Sequence, residues 1–206
     1  MSQPLDHHAA DRTGWVQVAR LFSNIVSPPV MFAAVGLALA WYELPFWPGF
    51  GWAAVYGLLV SLAPILVVFY LLRTGRIAEL HMTNRRERYI PYLSSVAAAT
   101  LAYVLLVWFD GPALLRCLAL FNMIGLTILA LITVFWLISI HATAMAAMNV
   151  IVGLVFGAPA GIALLPLLVL VCWARLYLKR HNWQQVVAGL VLGSVTVGLL
   201  RLIDCF

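Results

Sequence analysis

The chain has 206 residues, of which 65% are hydrophobic and only 9% charged, where a soluble domain carries roughly 25% charged residues. That composition excludes a water-soluble fold, because so much apolar surface needs lipid as its solvent. The length suits a single all-α transmembrane bundle of six or seven spans, and the net charge of +5 is informative mainly through its placement.

Residues 1–24 form a polar N-terminal segment and residues 25–206 the bundle. Mixed polar residues precede the first apolar run and no small-residue cleavage site follows it, so the first span is expected to stay in the mature protein. Taking about 20 apolar residues per crossing, the first span runs from Ile25 to Tyr42, with Pro28 and Pro29 near its start, where proline is tolerated. A second runs from Trp52 to Leu72 with a kink expected at Pro64. The polar stretch Arg73 to Arg88 leads to a third, Pro91 to Phe109. Asp110, Gly111 and Pro112 turn the chain into a fourth, ending near Ile138. Ser139 to Gly157 reads as a fifth helix, Ala158–Ala160 as a break, and Gly161 to Trp173 as a sixth. The basic segment Arg175 to His181 opens the last, Trp183 to Leu202. There Gly189 and Gly193 have the small-xxx-small spacing of helix packing. Cys117, Cys172 and Cys205 lack CxxC spacing and are read as packing residues.

Seven crossings put ten of the twelve Lys and Arg residues on the side of the N-terminus, leaving Arg116 and Arg201 opposite. By the positive-inside bias that side is expected to be cytoplasmic. The tryptophans fit two interfacial belts, Trp41, Trp47, Trp52 and Trp108 at one level and Trp15, Trp136, Trp173 and Trp183 at the other.

Polar side chains at a membrane boundary are costly and therefore informative. Three groups fall on one face: His81 with Asn84, Arg85, Arg86, Glu87 and Arg88; Ser139 with His141; and Arg175, Lys179, Arg180, His181 and Gln185. Arginines gathered with histidines and few carboxylates suit a phosphate. The guanidinium fork matches phosphate oxygens, one histidine can attack phosphorus, and another can protonate the leaving oxygen. Lys179, Arg180, Arg85 and Arg86 are read as headgroup contacts, with stems along the apolar surface and charges in the headgroup layer. Asn182 and Gln185 have the spacing of a capping box, which gives Gln185 a structural reason independent of chemistry.

Arg175, five residues, His181, three residues, Gln185 resembles the third signature of the type 2 phosphatidic acid phosphatases, SRxxxxxHxxxD. Ile138-Ser139-Ile140-His141-Ala142 is similar to their second, PSGH, and His81 through Tyr89 would occupy their first, KxxxxxxRP. The resemblance covers about residues 70 to 200, in order. It implies a helical-bundle lipid phosphatase working without metal or other cofactor. His181 would be the nucleophile and His141 the general acid. Arg175, Arg88, Ser139 and His81 would hold the phosphate, and Gln185 would orient His181. The sequence departs from the signatures at His81 for Lys, at Tyr89 for Pro and, most consequentially, at Gln185 for Asp.

Two functions therefore stand side by side. One is a phosphatase of a lipid phosphate or diphosphate, such as a polyprenyl carrier or phosphatidate. The other is a catalytically silent relative that binds lipid or serves as a subunit of a larger membrane complex. Expected partners are membrane lipids, a lipid phosphate and, in the second case, that complex; no nucleic acid is expected. An intramembrane prenyltransferase would need paired acidic motifs for Mg²⁺, and beyond the tail the polar face carries only Glu79 and Glu87.

Overall fold

The computed structural model describes residues 4–6, 8–78, 82 and 84–206. The described residues are helical and contain no strand, and the protein is an integral membrane protein built as a helical bundle. A 3₁₀ turn, Ala9–Asp11, leads into α1 (Gly14–Ile25) and α2 (Pro28–Glu43), which meet at a 43° bend. Then come α3 (Phe46–Gly57), α4 (Ala63–Arg73), α5 (Tyr89–Trp108), α6 (Ala113–Phe135), α7 (Ile140–Val155), α8 (Ala158–Tyr177) and α9 (Trp183–Arg201). The stretches Phe46–Arg73, Arg86–Trp108, Ala113–Phe135, Ala158–Tyr177 and Trp183–Arg201 are long and apolar enough to cross a membrane. The α1–α2 pair adds a sixth if it is one broken span, and α7 is a shorter apolar helix. Two expected breaks are in place: Asp110 takes positive φ at its turn, and α2 begins at Pro28. The break expected at Ala158–Ala160 is instead the first turn of α8, where Pro159 is tolerated, and the chain turns one residue earlier, at Gly157 with positive φ. The fourth and fifth segments are separate helices, because the chain is extended at Trp136 and re-enters a helix only at Ile140.

The expected kink at Pro64 takes the form of a π-helical turn, Leu58–Leu62, between α3 and α4. Proline lacks the N–H that would satisfy the carbonyl four residues before it. The ladder shifts register ahead of it, with the Ala63 N–H donating to the Leu58 carbonyl.

The chain forms two compact units. The first holds residues 1–31 and 137–197, the second residues 32–136 and 198–206. In the first, α7 is the buried centre. Every residue from His141 to Met148 is buried, and its run of alanines and small polar residues lets neighbouring backbones come close. A Cβ on Gly161 of α8 would lie 3.0 Å from the Gly153 Cα of α7, and the Asn149 amide donates to the Gly161 carbonyl at 2.7 Å. On α9, a Cβ on Gly189 would lie 2.7 Å from the Ser139 carbonyl oxygen, and one on Gly193 would collide with the Thr143 carbonyl. The small-xxx-small pair is thus a contact stripe between α9 and α7.

In the second unit, the buried Asn122 of α6 donates to the Tyr56 hydroxyl of α3 at 2.8 Å, an interhelical bond in an apolar setting. Glu43 accepts from the Leu114 N–H at 2.9 Å, a carboxylate at the positive end of α6. Cys117 and Cys205 form a disulfide with Cα atoms 5.4 Å apart, leaving Cys172 free. This corrects the reading of all three cysteines as packing residues. Their 88-residue separation gives no sequence signal, because α6 and the C-terminal tail meet only in the folded unit.

Candidate functional site

The site grows out of two helix junctions in the first unit. At the first, α8 ends in a Schellman arrangement. The N–H of Arg180 donates to the Arg175 carbonyl at 3.1 Å, that of Lys179 to Leu176 at 3.0 Å, and Lys179 takes the left-handed conformation. The His181 N–H also reaches the Arg175 carbonyl, at 3.3 Å. The backbone of Arg175 therefore fixes the turn that presents His181. Asn182 then starts α9 with the expected capping box. Its Oδ1 accepts from the Gln185 N–H at 2.9 Å, and its own N–H donates to Gln185 Oε1 at 3.2 Å.

The same Oε1 lies 3.1 Å from His181 Nδ1. A backbone N–H can only donate, so the Gln185 atom facing Asn182 is the oxygen, and His181 Nδ1 must carry a proton to share it. That leaves the lone pair of the neutral ring on Nε2. The capping and orienting explanations of Gln185 are thus both realised, through one atom.

At the second junction Ser139 is the N-cap of α7, with its Oγ facing the Ala142 N–H. Its own N–H donates to the Gln185 carbonyl at 3.1 Å, tying the start of α7 to the start of α9. His141, one residue into α7, sets Nε2 3.2 Å from the Ser23 carbonyl of α1. A carbonyl only accepts, so that nitrogen bears the proton. The Arg175 guanidinium donates to the Ser23 hydroxyl at 3.0 Å.

These contacts close a ring: Ser139, Gln185, His181, Arg175, Ser23, His141 and back along the chain to Ser139. All six side chains are buried. The structure thus gathers five of the seven sequence-chosen residues. Arg88 belongs to the second unit, where its Nε donates to the Met82 carbonyl at 2.8 Å just before α5. His81, like Glu79, lies outside the described residues. Among the described residues no group of three or more His, Cys, Asp or Glu comes together as a metal-ligand set.

Residues 134–204 match the PAP2 superfamily. Over that segment, about a third of the chain, the protein is similar to this superfamily. The PAP2 segment holds the second and third signatures and begins well after Arg88, so the match does not extend to the first. Comparison with curated proteins and with solved structures gives no match.

Three neighbours of the PAP2 residues are invisible to motif reading. Ser23 sits in a polar tail that carries no motif. Asp6, fully buried, accepts from Arg180 Nε at 2.9 Å and Nη2 at 2.8 Å, while the Leu5 N–H donates to the Leu178 carbonyl at 3.1 Å. Arg12 Nε in turn donates to the Asp6 carbonyl. Arg180 is therefore a buried ion-pair partner and not the headgroup contact expected of it. Lys179 is exposed, as a headgroup contact would be. No spacing rule links residues 174 apart.

Proposed function

We propose that this protein hydrolyses a phosphate or diphosphate ester of a membrane lipid, with His181 as nucleophile. The observation that carries the reading is the proton pattern of the two histidines around a buried arginine. His181 has its lone pair on Nε2, held so by Gln185, and His141 has its proton on Nε2. In this reading His181 Nε2 attacks phosphorus, forming an N–P bond while the ester P–O bond breaks. His141, as the imidazolium, gives its Nε2 proton to the departing lipid oxygen and becomes the neutral ring that next accepts a proton from water. Arg175 balances charge on the transferring phosphoryl group, and the N-terminus of α7, capped by Ser139, adds its dipole. Water activated by His141 then cleaves the phosphohistidine, releasing phosphate and restoring both rings. Arg88 and His81 are proposed as further phosphate ligands on the resemblance alone. The substrate class is a polyprenyl phosphate or diphosphate, or phosphatidate.

Gln185 favours the second reading, a silent lipid-binding relative or complex subunit. An amide cannot offset the imidazolium charge, and in the Ser-His-Asp triad the equivalent exchange costs about 10⁴ in rate. Phosphate release from a panel of polyprenyl diphosphates and phosphatidate, with EDTA present and His181→Ala in parallel, separates the two. Release that survives chelation and disappears in the variant supports the phosphatase. No release from any substrate leaves the silent relative.

The site is proposed to face the cytoplasm. The disulfide supports this independently of the arginine count, because Cys205 follows the end of α9 opposite to Trp183. Disulfides persist on the oxidising side of a membrane, which supports a reducing-side location for the His181 end of the same helix.

A further inference from the structure

Helix α1 has three distinct sides. Ala19 and Ser23, four residues apart, are buried, and Ala19 packs with Ala174 and Leu178 at the end of α8. On a separate side, Trp15 (69% exposed), Val18 (51%), Leu21 (52%) and Ile25 (68%) form an apolar face at helical spacing. Gln17, Arg20 and Asn24 lie along an edge between the two. An apolar face of this kind on a water-bathed helix would be costly, whereas the boundary between headgroups and acyl chains fits it, with tryptophan and arginine at the margin.

The buried side of this helix meets the groups read above as phosphate-handling. The Ser23 hydroxyl takes the Arg175 donor and the Ser23 carbonyl takes the His141 donor. Two oxygens of one residue thus stand where two oxygens of a phosphate would be bound.

We propose that α1 is a lateral gate resting in the lipid headgroup boundary, and that a phosphorylated lipid enters by displacing Ser23 from Arg175 and His141. This rests on the phosphate-handling role of those two residues given under Proposed function. The gate opens when Ala19 slides from Ala174, carrying Ser23 away from both donors, while the apolar face stays in the lipid.

A nitroxide on Val18→Cys, in a Cys172→Ser background that retains the Cys117–Cys205 bridge, reads depth and mobility in phosphatidylcholine vesicles with and without phosphatidate. In parallel, Ala19→Cys with Ala174→Cys in the same background is oxidised to lock α1 on α8. Phosphate release is measured before and after reduction, against wild type reduced alongside. The expected results are a label at headgroup–acyl depth, greater mobility with phosphatidate, and release at least ~10-fold lower in the locked form, regained on reduction. A label in the aqueous phase, mobility indifferent to phosphatidate, or a locked form as active as wild type would overturn the gate. If wild type releases no phosphate, the hydrolase reading fails by itself and the label alone decides. Movement on phosphatidate then upholds the gate for a lipid-binding protein, and no movement ends it.

Discussion

The side-chain oxygen of Gln185 accepts from the Asn182 N–H and from His181 Nδ1, so substitutions there separate helix capping from chemistry. Glutamate at this third helical position keeps both acceptors, is the other favoured residue of a capping box, and adds the missing negative charge. Gln185→Glu keeps the cap but buries a charge, so it should cost about 1–3 kcal/mol of stability while raising phosphate release by ~10-fold or more, out of the ~10⁴ that such a charge can contribute. Initial rates and melting curves in detergent check the two halves separately. Gln185→Ala should instead cost about 2 kcal/mol, from the lost cap together with a buried histidine donor left without its acceptor. Much at this scale was legible beforehand. Arg175, His181, Asn182 and Gln185 are local in sequence, and the helical repeat fixes their mutual reach. Ser23 was not, because nothing in residues 14–25 marks one polar side chain as a partner for residues far along the chain.

The α8–α9 junction is a helix end and a helix start with no slack between them. Lys179 holds φ +54° at the position where glycine is most favoured, and a side chain there costs about 1 kcal/mol. Lys179→Gly should raise the unfolding free energy by about 0.5–1 kcal/mol, after allowance for the greater freedom of glycine in the unfolded chain; thermal shift in detergent measures it. Gly189 acts in the opposite sense. A side chain at that position meets the Ser139 carbonyl and must push α9 from α7, separating Ser139 from the Gln185 carbonyl it donates to. Gly189→Val should destabilise by about 1–3 kcal/mol and reduce phosphate release more than it reduces the folded fraction. The glycine pair and the capping box could be read from spacing, because each is a rule of helix geometry. The π-helical turn before Pro64 could not be told from an ordinary kink, since proline fixes which hydrogen bond is lost but not how the ladder repairs itself.

For the molecule as a whole, the apolar composition dictated a membrane bundle, and all seven expected apolar segments correspond to helices. Division into two units was not legible, because two of its three boundaries fall within helices, at Met31 and Val197, and only the one at Trp136 falls between helices. Nor was the disulfide, whose residues become neighbours only after α6 and the tail pack together. Its chain-entropy contribution, for an 88-residue separation, is about 4.6 kcal/mol as an upper figure. Reduction, or Cys117→Ser with Cys205→Ser, should therefore lower the melting temperature while leaving His181 chemistry intact. In sealed, oriented vesicles a membrane-impermeant reductant should reach the bridge only from the face opposite His181. Access from the cytoplasmic side alone would reverse the proposed orientation.

The pairing of Asp6 with Arg180 also has a consequence for biosynthesis. The two residues are 174 positions apart, and synthesis at about 5–20 residues per second separates their appearance by roughly 9–35 s. The carboxylate therefore leaves the ribosome well before its arginine, so the contact of Asp6 is fastened only when α8 is complete. A chain arrested before α8 should keep the segment around Asp6 open to added protease, and a chain extended past Arg180 should lose that sensitivity.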